Sequence, residues 1–178
     1  MVVRVSKPAF NLRSKINELD YGHIPYEKMP PGSTWLLKHT TSATRTNVNS
    51  NSTWTTLSGL EIEVIPKTLH SKLWVEFNFT MELEDPINGL HFRVYRETPV
   101  GGTTTQVYLH SQHSHWNPSN DWTGPGTIYL TCMDEPDAHV GQVVRYYVQC
   151  YKETGNNLYS NFGQDESGIQ NTVWEIKK

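Results

Sequence analysis

The chain has 178 residues, about the size of one domain, and its formal net charge is −3. Its lysines and arginines are scattered, which argues against a nucleic-acid surface or a membrane patch, and its twenty aromatic residues exclude a disordered chain. No apolar run is long enough to span a bilayer, and the first residues lack the apolar core of a secretion signal. We therefore expect synthesis in the cytoplasm without export by the general secretory route.

Residues 1–33 differ from the rest and are predicted to form an N-terminal arm. Asn11 can cap a short helix over 11–20, in which Leu12, Ile16 and Leu19 form one narrow apolar stripe. A helix of this length is marginal in isolation, so the stripe needs a partner. The prolines and glycine that follow indicate an extended or turning linker.

From Thr34 onward the sequence pattern has a period of two, and residues 72–83 show it most clearly. Alternate positions from Leu73 to Leu83 are apolar, while Trp74 and otherwise polar residues occupy the positions between them. This pattern predicts a half-buried antiparallel strand with one side on a core.

Shorter stretches with strand character recur to the end of the chain. Asn88-Gly89 predicts a hairpin between the 72–83 strand and the next one, and 155–157 predicts a second hairpin between 144–150 and 158–162. About nine or ten short strands with polar turns predict an all-β antiparallel sandwich, jelly-roll-like, over 34–178. The further predicted strands cover 34–41, 52–57, 59–64, 90–97, 103–110, 127–133 and 172–176.

The two cysteines, Cys132 and Cys150, fall within predicted strands. We expect both to be small buried apolar residues, since a disulfide framework needs more cysteines than two. A bridge between them requires their strands to be neighbours.

The sequence offers little for catalysis. It has no nucleophile elbow, no Gly-rich phosphate loop, no H-E-x-x-H and no C-x-x-C, and we can defend no pair of catalytic carboxylates. We therefore predict no catalytic residues, no cofactor and no metal. One open alternative is that His113 and His115 ligate a metal at a threefold axis; the other is that they are exposed loop histidines.

The segment 111–126 is the predicted recognition loop. Trp116, Asn120, Asp121 and Trp122 combine aromatic rings with amide and carboxylate groups. Rings can stack on the apolar faces of sugars while the polar groups take the hydroxyls, and aromatic residues also anchor protein interfaces. The alternative is that the tryptophans plug the end of the sandwich or pack between subunits.

Several phrases resemble a known family. Residues 11–33, ending in Lys28-Met-Pro-Pro-Gly-Ser33, resemble the leader of small virion proteins from marine and freshwater phages, in which K-M-P-x-G-S precedes the first strand. Residues 51–73 resemble that family's Thr-rich strand followed by G-L-x-V-x-I-x-P and S-S-K-I/L. Later phrases with the same resemblance lie at 131–136, 146–149 and 172–176. The chain departs from the family pattern in three places: the acidic run 82–85, the 111–126 loop with its His and Trp residues, and a longer segment at 134–144.

The resemblance implies a non-enzymatic phage structural protein, either a capsid-decorating or a short tail- or head-fibre module, usually a homotrimer. Its expected partners are further copies of itself and other virion proteins, with no nucleic acid and no membrane, and its expected location is the virion. Trp74 is the candidate subunit contact, although an isolated surface aromatic is the alternative. A carbohydrate-binding module that uses the 111–126 loop is the alternative function. The residues predicted for virion attachment are Leu12, Ile16, Leu19, Tyr26 and Met29.

Overall fold

The computed structural model describes residues 26–69, 71–83, 88–112, 125–139, 141–154, 158–160 and 168–178. The helix predicted over 11–20 lies outside these residues. Within them, one short 3-10 turn (Tyr26–Lys28) precedes ten strands, and every strand pairing is antiparallel. The strands are β1 (Thr34–Ser42), β2 (Thr46–Val48), β3 (Thr55–Val64), β4 (Lys72–Leu83), β5 (Asn88–Thr98), β6 (Thr103–Gln112), β7 (Pro125–Asp134), β8 (Val144–Thr154), β9 (Leu158–Ser160) and β10 (Ile169–Ile176).

The strands form two sheets, which we call the first and the second. The first sheet has the order β1, β10, β4, β7, with the short strands β2 and β9 paired to each other and β9 also paired to β4. The second has the order β3, β8, β5, β6. Among the eight long strands, β1 pairs with β10, β3 with β8, β4 with β7 and β5 with β6, so that the first pairs with the last and so on inward. This is one long antiparallel hairpin rolled into two sheets, the jelly-roll arrangement, so the predicted fold class is confirmed.

Both predicted hairpins are wrong. β4 belongs to the first sheet and β5 to the second, and β8 and β9 are separated in the same way. These connections cross from one sheet to the other. Strands in opposite sheets both turn their apolar side to the shared core, so an alternating pattern cannot tell neighbours in one sheet from partners across the core.

The alternation predicted for β4 is confirmed where its side chains are described. Leu73, Val75, Phe77 and Phe79 are fully buried, and Met81 is nearly so. They pack on inward-facing residues of the second sheet, and the rings of Phe79 and Phe92 meet edge to face with centroids 5.6 Å apart. Complete burial of such a side chain stabilises a fold by about 1.5–3 kcal/mol, which makes this strand the main contributor to the core.

A polar cluster joins the sheets at one end. The Asp134 carboxylate at the end of β7 accepts two hydrogen bonds from Arg96 Nη1 in β5, at 2.7 and 2.8 Å. The hydroxyl of Tyr146 in β8 donates to the same carboxylate at 2.7 Å. Burial raises the pKa of Tyr146 well above its ordinary value, and the Asp134 charge adds to the rise, so the phenol remains a donor.

Two further contacts fix loops and bulges to β10. Asn171 Nδ2 donates to the carbonyl of Gly59 at 2.8 Å, where β3 bulges away from β8. Gly59 has a φ of +81°, and a Cβ there would lie 2.6 Å from Ser42 Oγ, so both backbone and packing require glycine. The buried Glu175 carboxylate accepts backbone N–H bonds from Lys67 and Thr68, which ties the β3–β4 connection to the first sheet.

Both cysteines are buried, as predicted, and their thiols are free. Cys132 lies in β7 of the first sheet and Cys150 in β8 of the second, so their strands are not neighbours. Burial, with a smaller contribution from Asp134, raises the pKa of the Cys132 thiol to about 12, and burial also raises that of Cys150. Both thiols are therefore protonated and poorly reactive at neutral pH.

The cluster at Asp134 gives the first testable prediction. The substitution Asp134→Ala leaves the Arg96 guanidinium, whose side chain is 14% exposed, without its buried partner. We expect a loss of about 3–5 kcal/mol in the free energy of unfolding, measured by urea denaturation. The matched control is Glu135→Ala, which removes the exposed ion pairs with Lys72 and Lys178 and should cause little measurable change. Similar losses in the two variants would contradict the assigned role of the cluster.

Candidate subunit interface

The outward side of the first sheet carries the candidate site. Along β4 the residues between the core positions face outward, and Trp74 among them is 39% exposed. The register places Trp74 directly opposite Trp174 of β10 on one side and Met133 of β7 on the other. Trp174 in turn lies opposite Leu36 of β1.

These four side chains, Leu36, Trp174, Trp74 and Met133, form one line across four strands, which we call the apolar row. Leu36 is 43% and Met133 52% exposed, while Trp174 is half-buried. The outward side of an antiparallel sheet is ordinarily polar, so a contiguous line of large apolar side chains is a candidate contact surface.

Hydrogen bonds within the sheet hold the rings of the apolar row in place. Trp74 Nε1 donates to Thr131 Oγ1 at 2.6 Å, and Trp174 Nε1 donates to Glu76 Oε2 at 3.3 Å. The other oxygen of Glu76 accepts a hydrogen bond from the Tyr129 hydroxyl. Since both indole N–H groups are used inside the sheet, the rings offer apolar surface in a fixed orientation. A fixed side chain loses less conformational freedom when a partner binds.

Charged residues border the apolar row at the end of the sheet. Glu135 forms ion pairs with Lys72 at 3.0 Å and with Lys178 at 3.1 Å, and these side chains are about half exposed. An apolar centre with a charged, hydrated border is the usual anatomy of a protein–protein interface.

Sequence reasoning identified Trp74 but missed the other three members of the row. Trp174 lies in the phrase Thr172-Val-Trp-Glu-Ile176, whose alternation already places it on the side opposite Val173. Met133 likewise alternates with Cys132 in the predicted 127–133 strand, whereas Leu36 carries no such signal. Their positions beside Trp174 and Trp74 follow only from the register of β1 and β7, which a sequence without an alignment does not specify.

Part of the outward side of the second sheet is covered by its own side chains. The guanidinium of Arg93 lies 3.9 Å from the ring centre of Trp54 and 4.6 Å from that of Tyr95. Tyr95 in turn stacks on Tyr147, and Trp54 packs on Tyr151. Because these groups cover one another, the contiguous apolar row of the first sheet is the stronger candidate for contact.

The C-terminal part of the predicted arm packs on the sandwich. Tyr26 is 6% exposed and meets Trp35 of β1 edge to face, with ring centroids 6.3 Å apart. Lys177 Nζ donates to the carbonyls of Tyr26 and Glu27, at 2.9 and 2.8 Å, and to the carbonyl of the half-buried Met29. Residues 26–33 are thus held against β1 and the end of β10 within the chain.

The remaining predicted site residues lie outside the part of the chain that the structure describes. This applies to Leu12, Ile16 and Leu19 of the arm, so the attachment role of the arm stays a prediction. It also applies to residues 113–124, so the recognition role of that loop stays a prediction as well. The residues concerned there are His113, His115, Trp116, Asn120, Asp121 and Trp122.

Within the described ranges, no group of three or more His, Cys, Asp or Glu side chains could hold a metal ion. No helix among the described residues is long and apolar enough to cross a membrane.

Comparisons with known proteins find weak structural similarity. No protein-family model and no curated protein matches the chain. Among solved structures, one of the infectious bursal disease virus Gx strain aligns with a TM-score of 0.37, and one of the VP2 subviral particle of infectious bursal disease virus with a TM-score of 0.40. Each alignment has 10% identity and covers 83% of this chain and 39% of the other. The chain thus spans well under half the length of these viral proteins, and scores at this level do not assign it to their family.

Tyr129 gives a prediction for this surface. Burial and the hydrogen bond to the Glu76 carboxylate disfavour the phenolate and raise the pKa of Tyr129 to about 12, against about 10 for an unperturbed tyrosine. The stabilisation that this hydrogen bond gives is complete below about pH 10 and is lost as the pH rises toward 12. The ultraviolet difference titration between the wild type and Tyr129→Phe should therefore show a transition near pH 12. A transition near pH 10 would contradict the contact, and unchanged circular dichroism at pH 8 is the control.

Proposed function

We propose that this chain is a non-enzymatic structural protein of a bacteriophage virion, which assembles as a homotrimer and attaches to the particle through its N-terminal arm. The observation that carries the proposal is the apolar row, an exposed line of large apolar side chains on an otherwise polar sheet surface. The sequence resemblance to small phage virion proteins supports the same reading. Its partners are then copies of itself and other virion proteins, and its site of synthesis is the host cytoplasm.

The shape of the apolar row favours a protein partner over a small ligand. Small-molecule sites are concave and carry a few convergent polar groups that fix the ligand. The row instead crosses the outward surface of a sheet, and the polar groups nearest to it, the two indole N–H groups and Glu76, already bond one another or Thr131. What remains for a partner is apolar area, which a second protein surface buries best.

A trimer and a dimer would use the apolar row in different ways. In a ring of three copies the contact is heterologous, so the apolar row of one copy meets a different patch of the next. In a twofold dimer the row would pack on itself. The mass of the assembly therefore separates these arrangements, and the homotrimer is the arrangement that the family resemblance favours.

Within the virion, a small decoration or fibre-tip module suits this chain. A fibre requires a long repetitive shaft, and the sequence contains no internal repeat. The described part is a single jelly roll whose two sheets share one core.

The interface prediction compares two exposed apolar residues of equal exposure. Met133 in the apolar row is 52% exposed, and Leu109 in β6 of the second sheet is 50% exposed. We expect Met133→Ser and Trp74→Ala to weaken self-association about 30-fold or more, which corresponds to the roughly 2 kcal/mol of a central interface residue. Leu109→Ser should leave association unchanged. Sedimentation velocity gives the masses, and circular dichroism confirms that each variant is folded.

Two results of this experiment would contradict the proposal. The first is a wild-type protein that remains monomeric at high micromolar concentration. The second is a trimer whose stability responds equally to Met133→Ser and Leu109→Ser.

The attachment prediction concerns residues 1–25. Because residues 26–33 pack on the domain, the informative truncation removes residues 1–25. It retains Tyr26, Met29 and the backbone hydrogen bonds of Gly32 and Ser33 with Lys177. We expect the truncated protein to be folded and trimeric but absent from purified phage particles, as measured by quantitative mass spectrometry. A truncated protein that enters particles at the wild-type level would refute attachment through the arm.

A further inference from the structure

A cleft opens on the side of the sandwich where each sheet ends. β1 is the edge strand of the first sheet and β3 that of the second, and the cavity between them measures about 410 Å³. A concave, largely apolar wall of this kind can receive a protruding side chain of a partner. The apolar residues of the wall are Trp35, Leu37, Val64, Ile65 and Val143.

The cleft borders the apolar row along β1. Leu36 forms one end of the row on the outward side of the first sheet, while its neighbours Trp35 and Leu37 line the cleft. Leu37 can join Trp35 there because the register of β1 shifts between Leu36 and Lys38. On the other wall of the cleft, Ile65 is 51% exposed. The row and the cleft are therefore contiguous surfaces on neighbouring sides of the sandwich.

A ring of three copies requires two surfaces arranged in this way. Successive copies differ by a third of a turn, so the two contact surfaces of one copy face directions about 60° apart. Such surfaces lie on neighbouring sides of a subunit. The outward side of the second sheet lies opposite the row across the core, so a closed trimer cannot use it as the counterpart of the row.

The other side that borders the first sheet, at β6 and β7, offers less apolar surface. Residues 103–106 of β6 are exposed and polar. The exposed Leu109 of β6 lies opposite Arg93, which places it on the outward side of the second sheet. Of the two sides next to the row, the one with the cleft is thus the better match for an apolar partner.

We propose that the cleft is the counterpart of the apolar row, so that in the trimer the row of one copy packs into the cleft of the next. This inference rests on the proposed function and specifies how its homotrimer is built. Met133 is the most exposed residue of the row at 52%, and methionine adapts well to irregular cavities. Its side chain therefore enters the cleft of the neighbouring copy between Trp35 and Ile65.

The charges around the two surfaces can meet with opposite sign. Among the described residues, the border of each surface includes one glutamate and two lysines. These are Glu135, Lys72 and Lys178 at the row, and Glu63, Lys38 and Lys67 at the cleft. Each glutamate of one copy can face a lysine of the next, which favours one register of the contact over others. Packing at the cleft also covers the edge strands β1 and β3, and open strand edges invite pairing with other molecules.

Complementation between two full-length variants tests the proposal. Met133→Asp places a charge in the row and leaves the cleft intact, whereas Ile65→Asp places a charge in the cleft and leaves the row intact. We expect each variant alone to be folded by circular dichroism but monomeric, with self-association weakened about 30-fold or more. In an equimolar mixture, the intact row of one variant can meet the intact cleft of the other, and no further contact can form. The mixture should therefore give 1:1 heterodimers, identified by native mass spectrometry with one variant ¹⁵N-labelled.

Crosslinking of an otherwise intact trimer supplies a second measurement. Met133→Cys is combined with Ile65→Cys or, as the control, with Leu109→Cys, since Ile65 and Leu109 are exposed to the same extent at 51% and 50%. The native thiols of Cys132 and Cys150 are buried and poorly reactive, so they do not compete. With a short bismaleimide, we expect the cleft pair to give covalent trimers in at least tenfold higher yield than the control pair.

The results distinguish this inference from the proposed function. A wild-type protein that is monomeric contradicts the homotrimer itself. A wild-type trimer combined with an Ile65→Asp variant that still assembles would overturn the cleft as the counterpart and leave the trimer standing. Equal crosslinking of the two cysteine pairs, or a mixture of the Asp variants that stays monomeric at high micromolar concentration, would overturn it as well. A row that packs on itself around a twofold axis predicts dimers of Ile65→Asp and no rescue by mixing.

Discussion

The structure depends on the burial of one side of β4. This strand has β10 and β9 on one side and β7 on the other, and its inward residues from Leu73 to Met81 are removed from water. A shift of one residue in its register would expose all of them, so the register is strongly determined. The same constraint fixes the outward direction of Trp74. The core of the jelly roll and the candidate interface are thus two sides of one strand.

Polar contacts between the sheets determine how the remaining elements sit on this strand. Arg96, Asp134 and Tyr146 join the sheets at one end, and Asn171 joins β10 to the bulge at Gly59. Buried polar groups are costly unless they are paired, so such contacts specify one arrangement among several that would bury similar apolar area. They fix how the first sheet faces the second.

The sandwich has two apolar surfaces of different form. The apolar row is a line across a sheet, bordered by ion pairs, which suits another folded surface. A second apolar surface is a cleft between β1 and β3, lined in part by Trp35, Leu37 and Val64, and Trp35 also contacts Tyr26.

The alternating residues of β4 were sufficient to predict an all-β sandwich, its buried side and the outward position of Trp74, because side-chain direction in a strand follows from local geometry alone. The same local pattern placed Cys132 and Cys150 in buried positions. It could not show that β4 and β5 belong to different sheets, since strands that face each other across a core have the same alternation as strands that pair. The apolar row takes one residue from each of four strands, and the cleft lies between edges brought together by the rolled hairpin. Only the tertiary structure decided these features, because each depends on contacts between residues far apart in the chain.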